Sequence, residues 1–359
     1  MAIFGNKGEW SEMYVLFKLL GDGVVFAGDG DLNKLEELFY PILKILRQEK
    51  EGKFVYSIED DIVVVTEDGE ELLRKNVADF LYQATILIQR IQKAKGSFNI
   101  PEVESFMQDI HCSTLKAKSS DKTDIRIVIH DPRTGMTPTL GFSIKSQVGN
   151  DATLLNASKA TNFIYMVSGK KLSARIVKSI NEINTRNKIM DRVQAIINQG
   201  VHLDFSDMYS NTFCNNLILI DSCLPQIVAD ILLYRYILGT TDLSQLTEYI
   251  AQKNPIGYDA SQNHRFYEHK IKNLLVASAL GMVPDEPWNG RYDANGGYLV
   301  VKDDGDVLCY HFYDRNLIED YLFKNVKLET PSSSRHDFAS IYEEDGKQLF
   351  KLNLQIRFK

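Results

Sequence analysis

Residues 121–149 read DKTDIRIVIHDPRTGMTPTLGFSIKSQVG, and this stretch constrains the fold more than any composition does. IRIVI places Ile125, Ile127 and Ile129 on one face of a strand, and GFSIKSQV does the same for Phe142 and Ile144. The two runs make a buried hairpin whose opposite face carries Asp124, then Ser143, Lys145 and Gln147. Gly141 leaves room there for the close approach of a backbone or a ligand. Polar side chains in a row between apolar ones are costly unless they line a cleft or find partners. One answer is a cross-strand salt bridge between Asp124 and Lys145 at a sheet rim, worth ~0.2–1 kcal/mol. The other is chemistry. A carboxylate is an oxygen ligand suited to Mg²⁺, whose bound water can attack phosphorus, and an ammonium can orient that nucleophile or stabilise the developing charge. That combination hydrolyses phosphodiesters.

The rest of the chain supplies both element types. Trp10, Met13, Tyr14, Phe17 and Leu20 recur at helical spacing, and a second helix is expected over LNKLEELFYPILKILRQE, bent or restarted at Pro41. KFVYSIEDDIVVVT reads as two short strands, NVADFLYQATILIQRIQKA as a long helix, and SFNIPEVESFMQDIH as a short one opened by Pro101. Helices are expected over 170–200, 227–239 and 266–281, and a hairpin over GGYLVVKDDGDVLCYHFY. FKLNLQIRF closes the chain as an alternating strand. The fold class is mixed α/β. The expected division is an N-terminal helical and β region (1–96), a core with a helical extension (97–282) and a β-rich C-terminal region (283–359).

With 359 residues, an apolar fraction of 44% and a charged fraction of 25%, the composition is that of a water-soluble globular protein. No apolar run is long enough for a bilayer, and MAIFGNKGEWSE lacks the layout of a signal peptide, so no membrane partner and a cytoplasmic location are expected. Cys112, Cys214, Cys223 and Cys309 have none of the paired spacings of a zinc or redox site. A net charge of −7 argues against polyanion binding over the whole surface but allows a local cationic groove.

Asp124, the hairpin and SIK (143–145) resemble the PD-(D/E)XK nuclease core, with serine where a second acidic residue usually stands. Seven blocks in order, GEWSEMY, SSDKTDIRIVIHD, GFSIKSQVG, TLLNASKATNF, HFYDRN, ETPSSSRHDF and KLNLQIRF, resemble the HpaII-type restriction endonucleases over nearly the whole chain. The resemblance implies a nuclease sheet flanked by helices and a Mg²⁺-dependent type II endonuclease. Its target would be a short palindrome in double-stranded DNA, CCGG for the family's namesake, with a cognate DNA methyltransferase in the same cell. Since Ser143 cannot ligate as a carboxylate, another acid must complete the cation site: Glu104 on the short helix before the hairpin, Glu12 on the first helix, or Asp151 beyond Lys145. Gln147 could hold a water or a phosphate oxygen.

For DNA contacts, Asn156, Lys159 and Asn162 follow the hairpin in what reads as a loop leading into a helix. Arg315, Asn316, Arg335 and His336 stand in expected C-terminal loops. Arginine best matches the O6 and N7 of guanine in the major groove, whereas amides and hydroxyls serve phosphates and bases alike. A palindrome is most simply read by a homodimer. The competing function is a catalytically inactive or structure-specific DNA-binding protein on the same fold, which the serine at 143 would permit.

Overall fold

A computed structural model describes residues 2–116, 123–149, 152–292 and 295–359. The first stretch of chain forms α1 (Lys7–Asp22), β1 (Val24–Gly28), β2 (Lys34–Gln48), β3 (Lys53–Glu59), β4 (Ile62–Glu67) and β5 (Glu70–Asn76). It continues with α2 (Val77–Lys93), α3 (Pro101–Asp109), β6 (Ile125–Ile129) and β7 (Thr139–Ser146). Next come β8 (Thr153–Leu155), a 3-10 turn (Lys159–Thr161), β9 (Asn162–Ser168), α4 (Ala174–Asn181), α5 (Lys188–Ile197) and β10 (His202–Met208). Four helices follow: α6 (Asn211–Ile220), α7 (Leu224–Leu238), α8 (Leu243–Lys253) and α9 (Phe266–Ala279). The last part holds β11 (Gly297–Val301), β12 (Val307–His311), α10 (Arg315–Asn325), β13 (Val326–Leu328), α11 (Ser333–His336), β14 (Ile341–Glu344), β15 (Lys347–Asn353) and β16 (Ile356–Phe358). Among the described residues no single helix is long and apolar enough to cross a membrane.

The chain divides into two compact units, Met1–Ala152 with Tyr292–Tyr321, and Thr153–Arg291 with Leu322–Lys359. In the first, nine strands run in the order β1-β12-β11-β7-β6-β2-β3-β4-β5. An extra pairing of β1 with β2 closes six of them into a barrel-like ring. β7 sits antiparallel to β6, with Ile125 opposite Phe142, and parallel to β11, with Tyr298 beside Ser143 and Val300 beside Lys145. A strand with neighbours on both sides has no free edge, and Phe142 and Ser143 are accordingly both buried.

α1 begins at Asn6, whose side chain accepts from the Glu9 amide while the Glu9 carboxylate takes the Asn6 amide, and ends at Gly23 with φ 68°. Its apolar stripe enters the core: Trp10, Met13, Phe17 and Leu20 are fully buried. Phe17, Phe80 and Phe106 meet edge to face at 5.1–6.1 Å, tying α1, α2 and α3 together. The second unit holds a sheet ordered β10-β9-β15-β14 and a small one ordered β13-β16-β8. In that unit α7 is apolar nearly all round, as a central helix must be.

Three expectations are corrected. The helix expected over 32–49 is β2, in which Tyr40, Ile42, Ile45 and Arg47 are buried. Pro41 would cost a helix interior about 3 kcal/mol, whereas here it lies in the ladder opposite Val24, and a bulge beyond Ile42 shifts the register. The segment after the hairpin leads through a capped 3-10 turn into β9, not a helix, because NFIYMVS alternates aromatic and β-branched residues that bury on one face. At the C-terminus, Arg315 and Asn316 open α10, and Ser332 caps the short helix that carries Arg335 and His336, so neither pair stands in a loop. The expected hairpin over 297–312 is present as β11 and β12, and the closing strand as β15 and β16, interrupted after Asn353.

Glycine is required where β11 enters the sheet. Gly297 has φ 113°, and a Cβ there would lie 2.0 Å from the Tyr310 carbonyl oxygen. Gly297→Ala is expected to cost at least about 1–3 kcal/mol in backbone strain, read as a lowered urea midpoint of the first unit. An unchanged midpoint would show that β11 can enter by another path.

Candidate active site

Asp124 is placed by the backbone on both sides. Its amide donates to the Phe142 carbonyl at 2.9 Å, and its carboxylate Oδ2 accepts from the Ile144 amide at 2.7 Å. The acid is thus locked across the mouth of the hairpin, next to the strand that carries Lys145. At Gly141 a Cβ would lie 2.6 Å from the Thr123 side chain, so the neighbour it admits is that side chain and not the backbone or ligand expected. The Gly296 amide donates to the Gly141 carbonyl at 2.9 Å, and the Asn295 side chain accepts from the Gly141 amide at 2.8 Å.

The Lys145 ammonium lies 5.3 Å from the centre of the Tyr298 ring and makes no hydrogen bond among the described residues. Burial lowers its pKa below the usual lysine value, while the charges of Asp124 and Glu12 hold it up. Glu12 is the group that α1 brings to this place. Its side chain is 12% exposed. Burial pushes its carboxyl up to about 8; the Asp124 charge adds to the rise, and Lys116 and Arg47 oppose it. Lys116 approaches Glu12 at 3.9 Å. Arg47 is buried against Glu49 and the Thr114 carbonyl. Two carboxylates and an ammonium therefore share one poorly solvated region.

The other sequence candidates are placed differently. The carboxylate of Glu104 is buried and engaged within its own corner, accepting from the amides of Ile3 at 2.9 Å and Ile100 at 3.2 Å. It fastens the N-terminal strand of chain to the start of α3. Ser143 is buried beside Tyr298. Gln147 lies just past β7, its amide donating to the Val301 carbonyl at 2.9 Å and its side chain half-buried. Asp151 lies outside the described residues. Tyr298, Arg47 and Lys116 were not singled out from the sequence. Their only signal was residue type, since the pairings that bring them here span from tens to more than a hundred residues.

Among the DNA-contact candidates of the second unit, Asn156, Lys159 and Arg335 are exposed and His336 is half-buried. Asn162 is fully buried: its Nδ2 donates to the His336 carbonyl at 2.8 Å, and its Oδ1 accepts from Asn353 at 2.7 Å. That amide holds the 333–336 segment against β9. Lys159 lies near Asp337, whose carboxyl is held low chiefly by Lys351. In the first unit, Asn316 is exposed and Arg315 donates to Glu319 at 2.6 Å. Among the described residues no group of three or more His, Cys, Asp or Glu side chains is arranged to hold a metal.

The raised carboxyl of Glu12 has a sign that can be measured. A folded-state pKa of about 8 against 4.5 means that the folded protein keeps a proton the unfolded chain releases, so stability falls as pH rises between those values. In metal-free protein, Glu12→Gln is expected to raise the melting temperature at pH 9 and to flatten its pH dependence between 4.5 and 8. Parallel melting curves for both proteins across that window would contradict the placement of Glu12.

The comparisons agree along the whole chain. The family model described as HpaII restriction endonuclease matches residues 6–358. The "Type II restriction enzyme HpaII" of Haemophilus parainfluenzae is 48% identical over 358 residues, covering 99% of this chain and 98% of that protein. No solved structure matches. The chain belongs to the HpaII restriction endonuclease family.

Proposed function

We propose that this protein is a type II restriction endonuclease that hydrolyses phosphodiester bonds in double-stranded DNA at CCGG, using Mg²⁺. The observation that carries the reading is the convergence of Asp124, Lys145 and Glu12 from a hairpin and a separate helix onto one desolvated site. Family membership and the name of the relative support the substrate and the target. The core is read as a PD-(D/E)XK nuclease sheet in which Glu12 takes the place left by Ser143.

The residues present fit a divalent cation. Glu12 and Asp124 are oxygen donors, the charge of Asp124 adding to the raised proton affinity of Glu12, and Mg²⁺ commonly takes one or two protein carboxylates and fills its shell with water and phosphate oxygens. When bound, such an ion neutralises phosphate charge and makes water more acidic. Asp124, fixed by the Ile144 amide, and Glu12, fixed by α1, present oxygens from two directions. Lys145, which makes no hydrogen bond among the described residues, can donate to the attacking oxygen or to a phosphate oxygen as negative charge develops. Its lowered pKa makes it a readier proton donor or acceptor near neutral pH than an exposed lysine. Base reading is assigned to Arg335, Arg315 and Asn316, with Lys159 and Asn156 as backbone contacts and His336 beside Arg335. The protein is read as a homodimer on its palindrome, with a methyltransferase protecting the host's own sites.

Plasmid cleavage tests this reading. Lys145→Ala and Asp124→Asn are each expected to reduce cleavage of a CCGG plasmid by at least ~10²-fold while leaving duplex binding intact, and Glu104→Gln is expected to lower stability more than turnover. If wild-type protein binds DNA without cutting at any divalent-cation concentration, the inactive DNA-binding alternative is correct. Arg335→Ala is expected to lose about 1–3 kcal/mol on a CCGG duplex and much less on a scrambled one. Equal losses on both would move Arg335 to the phosphate backbone.

A further inference from the structure

Lys145 owes its setting to the neighbouring strand. β11 runs parallel to β7 with Tyr298 beside Ser143 and Val300 beside Lys145. Tyr298 and Lys145 are therefore diagonal neighbours two residues apart on one face of the sheet, a spacing that a ring and a long side chain can bridge. The ammonium lies over the Tyr298 ring, 5.3 Å from its centre.

The ring is fixed on its other sides. Tyr298 is 2% exposed and follows Gly297, whose positive φ brings β11 into the sheet. Across the antiparallel pairing it stands opposite Tyr310 of β12. Tyr310 stacks on Tyr321 of α10 at 4.1 Å and donates its hydroxyl to the Asp29 carbonyl at 2.7 Å. Burial raises the Tyr298 pKa and the Asp124 charge adds to the rise, so at neutral pH the ring facing Lys145 is an uncharged phenol. The lysine is the less constrained of the two. The charges of Asp124 and Glu12 act on it, yet it makes no hydrogen bond or ion pair among the described residues. A four-carbon stem ending in such a cation has many conformers to choose from. The face of an aromatic ring attracts an ammonium through its quadrupole, most strongly where water is excluded.

We propose that Tyr298 is a positioning residue of the cleavage site, its ring face holding the Lys145 ammonium where the attacking oxygen or a phosphate oxygen meets it. The inference rests on the endonuclease reading, in which Lys145 touches the reacting atoms, and adds to it the group that aims Lys145. Acting through Lys145, the ring governs the rate of cleavage and not the affinity for DNA.

The test is single-turnover cleavage of a CCGG duplex at saturating enzyme and Mg²⁺, with duplex affinity measured separately in calcium. The proteins are wild type, Lys145→Ala, Tyr298→Leu and Tyr298→Phe, and a series carrying mono-, di- and trifluorinated phenylalanine at position 298. Fluorine withdraws electron density from the ring face while nearly preserving its shape. Tyr298→Leu is expected to slow cleavage on the order of 10-fold with affinity unchanged, and Tyr298→Phe to recover most of that loss. Along the fluorinated series the rate is expected to fall stepwise, which a ring serving only to fill the core would not produce. Should Tyr298→Leu fail to fold, the fluorinated series alone decides.

A wild type that leaves the duplex uncut, or a Lys145→Ala variant that cuts at the wild-type rate, would sink the endonuclease reading of this site and the role of Tyr298 with it. With those two as expected, a rate indifferent to fluorination overturns the role of Tyr298 alone. Tyr298→Phe as slow as Tyr298→Leu would overturn it by assigning the effect to the hydroxyl. A drop in affinity that matches the drop in rate would overturn it by making Tyr298 part of the DNA-binding surface or of its support.

Discussion

Withdrawal of Glu12 from water beside the half-buried Asp124 is the constraint on which the first unit depends. Burial disfavours the charged form and the neighbouring Asp124 charge adds to the effect, so the Glu12 carboxyl rises to about 8. A fold concerned only with stability would gain by replacing one of the pair with an apolar residue.

The geometry that sustains this site is distributed. The hairpin of β6 and β7 holds Asp124 through two main-chain bonds and places Lys145 on a strand with neighbours on both edges. α1 contributes Glu12 from a helix whose opposite stripe is anchored by Trp10, Met13 and Phe17 in the core. Closing the six strands through β1 and β2 removes sheet edges that would otherwise invite pairing with other chains. A rigid support of this kind is what a site needs when a displacement of about an ångström costs orders of magnitude in rate.

The second unit shows a polar side chain whose role is structural. Asn162 is satisfied on both of its polar atoms and has none left for a base edge. By gripping the His336 carbonyl it positions the short helix that exposes Arg335. A reading by residue type treats Asn162, after the hairpin, and Arg335, near the C-terminus, alike as polar DNA-contact candidates. Burial separates the one that holds from the one that is held out to solvent.

Local sequence determined a good deal here. The period of α1, the start of α3 at Pro101, the Ile-rich hairpin with its acid and lysine, and the strands of 53–66 and 297–312 were all legible, because each depends on neighbours a few residues away. Resemblance of ordered motifs brought out the family, which the comparisons show. Tertiary structure alone decided the rest. β2 reads as a helix until β1, β3 and β6 pair with it, since a run of leucines, isoleucines and lysines satisfies either period and only partners on both edges choose between them. The different surroundings of Glu12 and Glu104 were equally closed to the sequence. Both are helical glutamates near apolar residues, and what separates them is a pair of amides 2.9 and 3.2 Å from one and a facing aspartate beside the other. Those are distances between parts of the chain that sequence spacing does not measure.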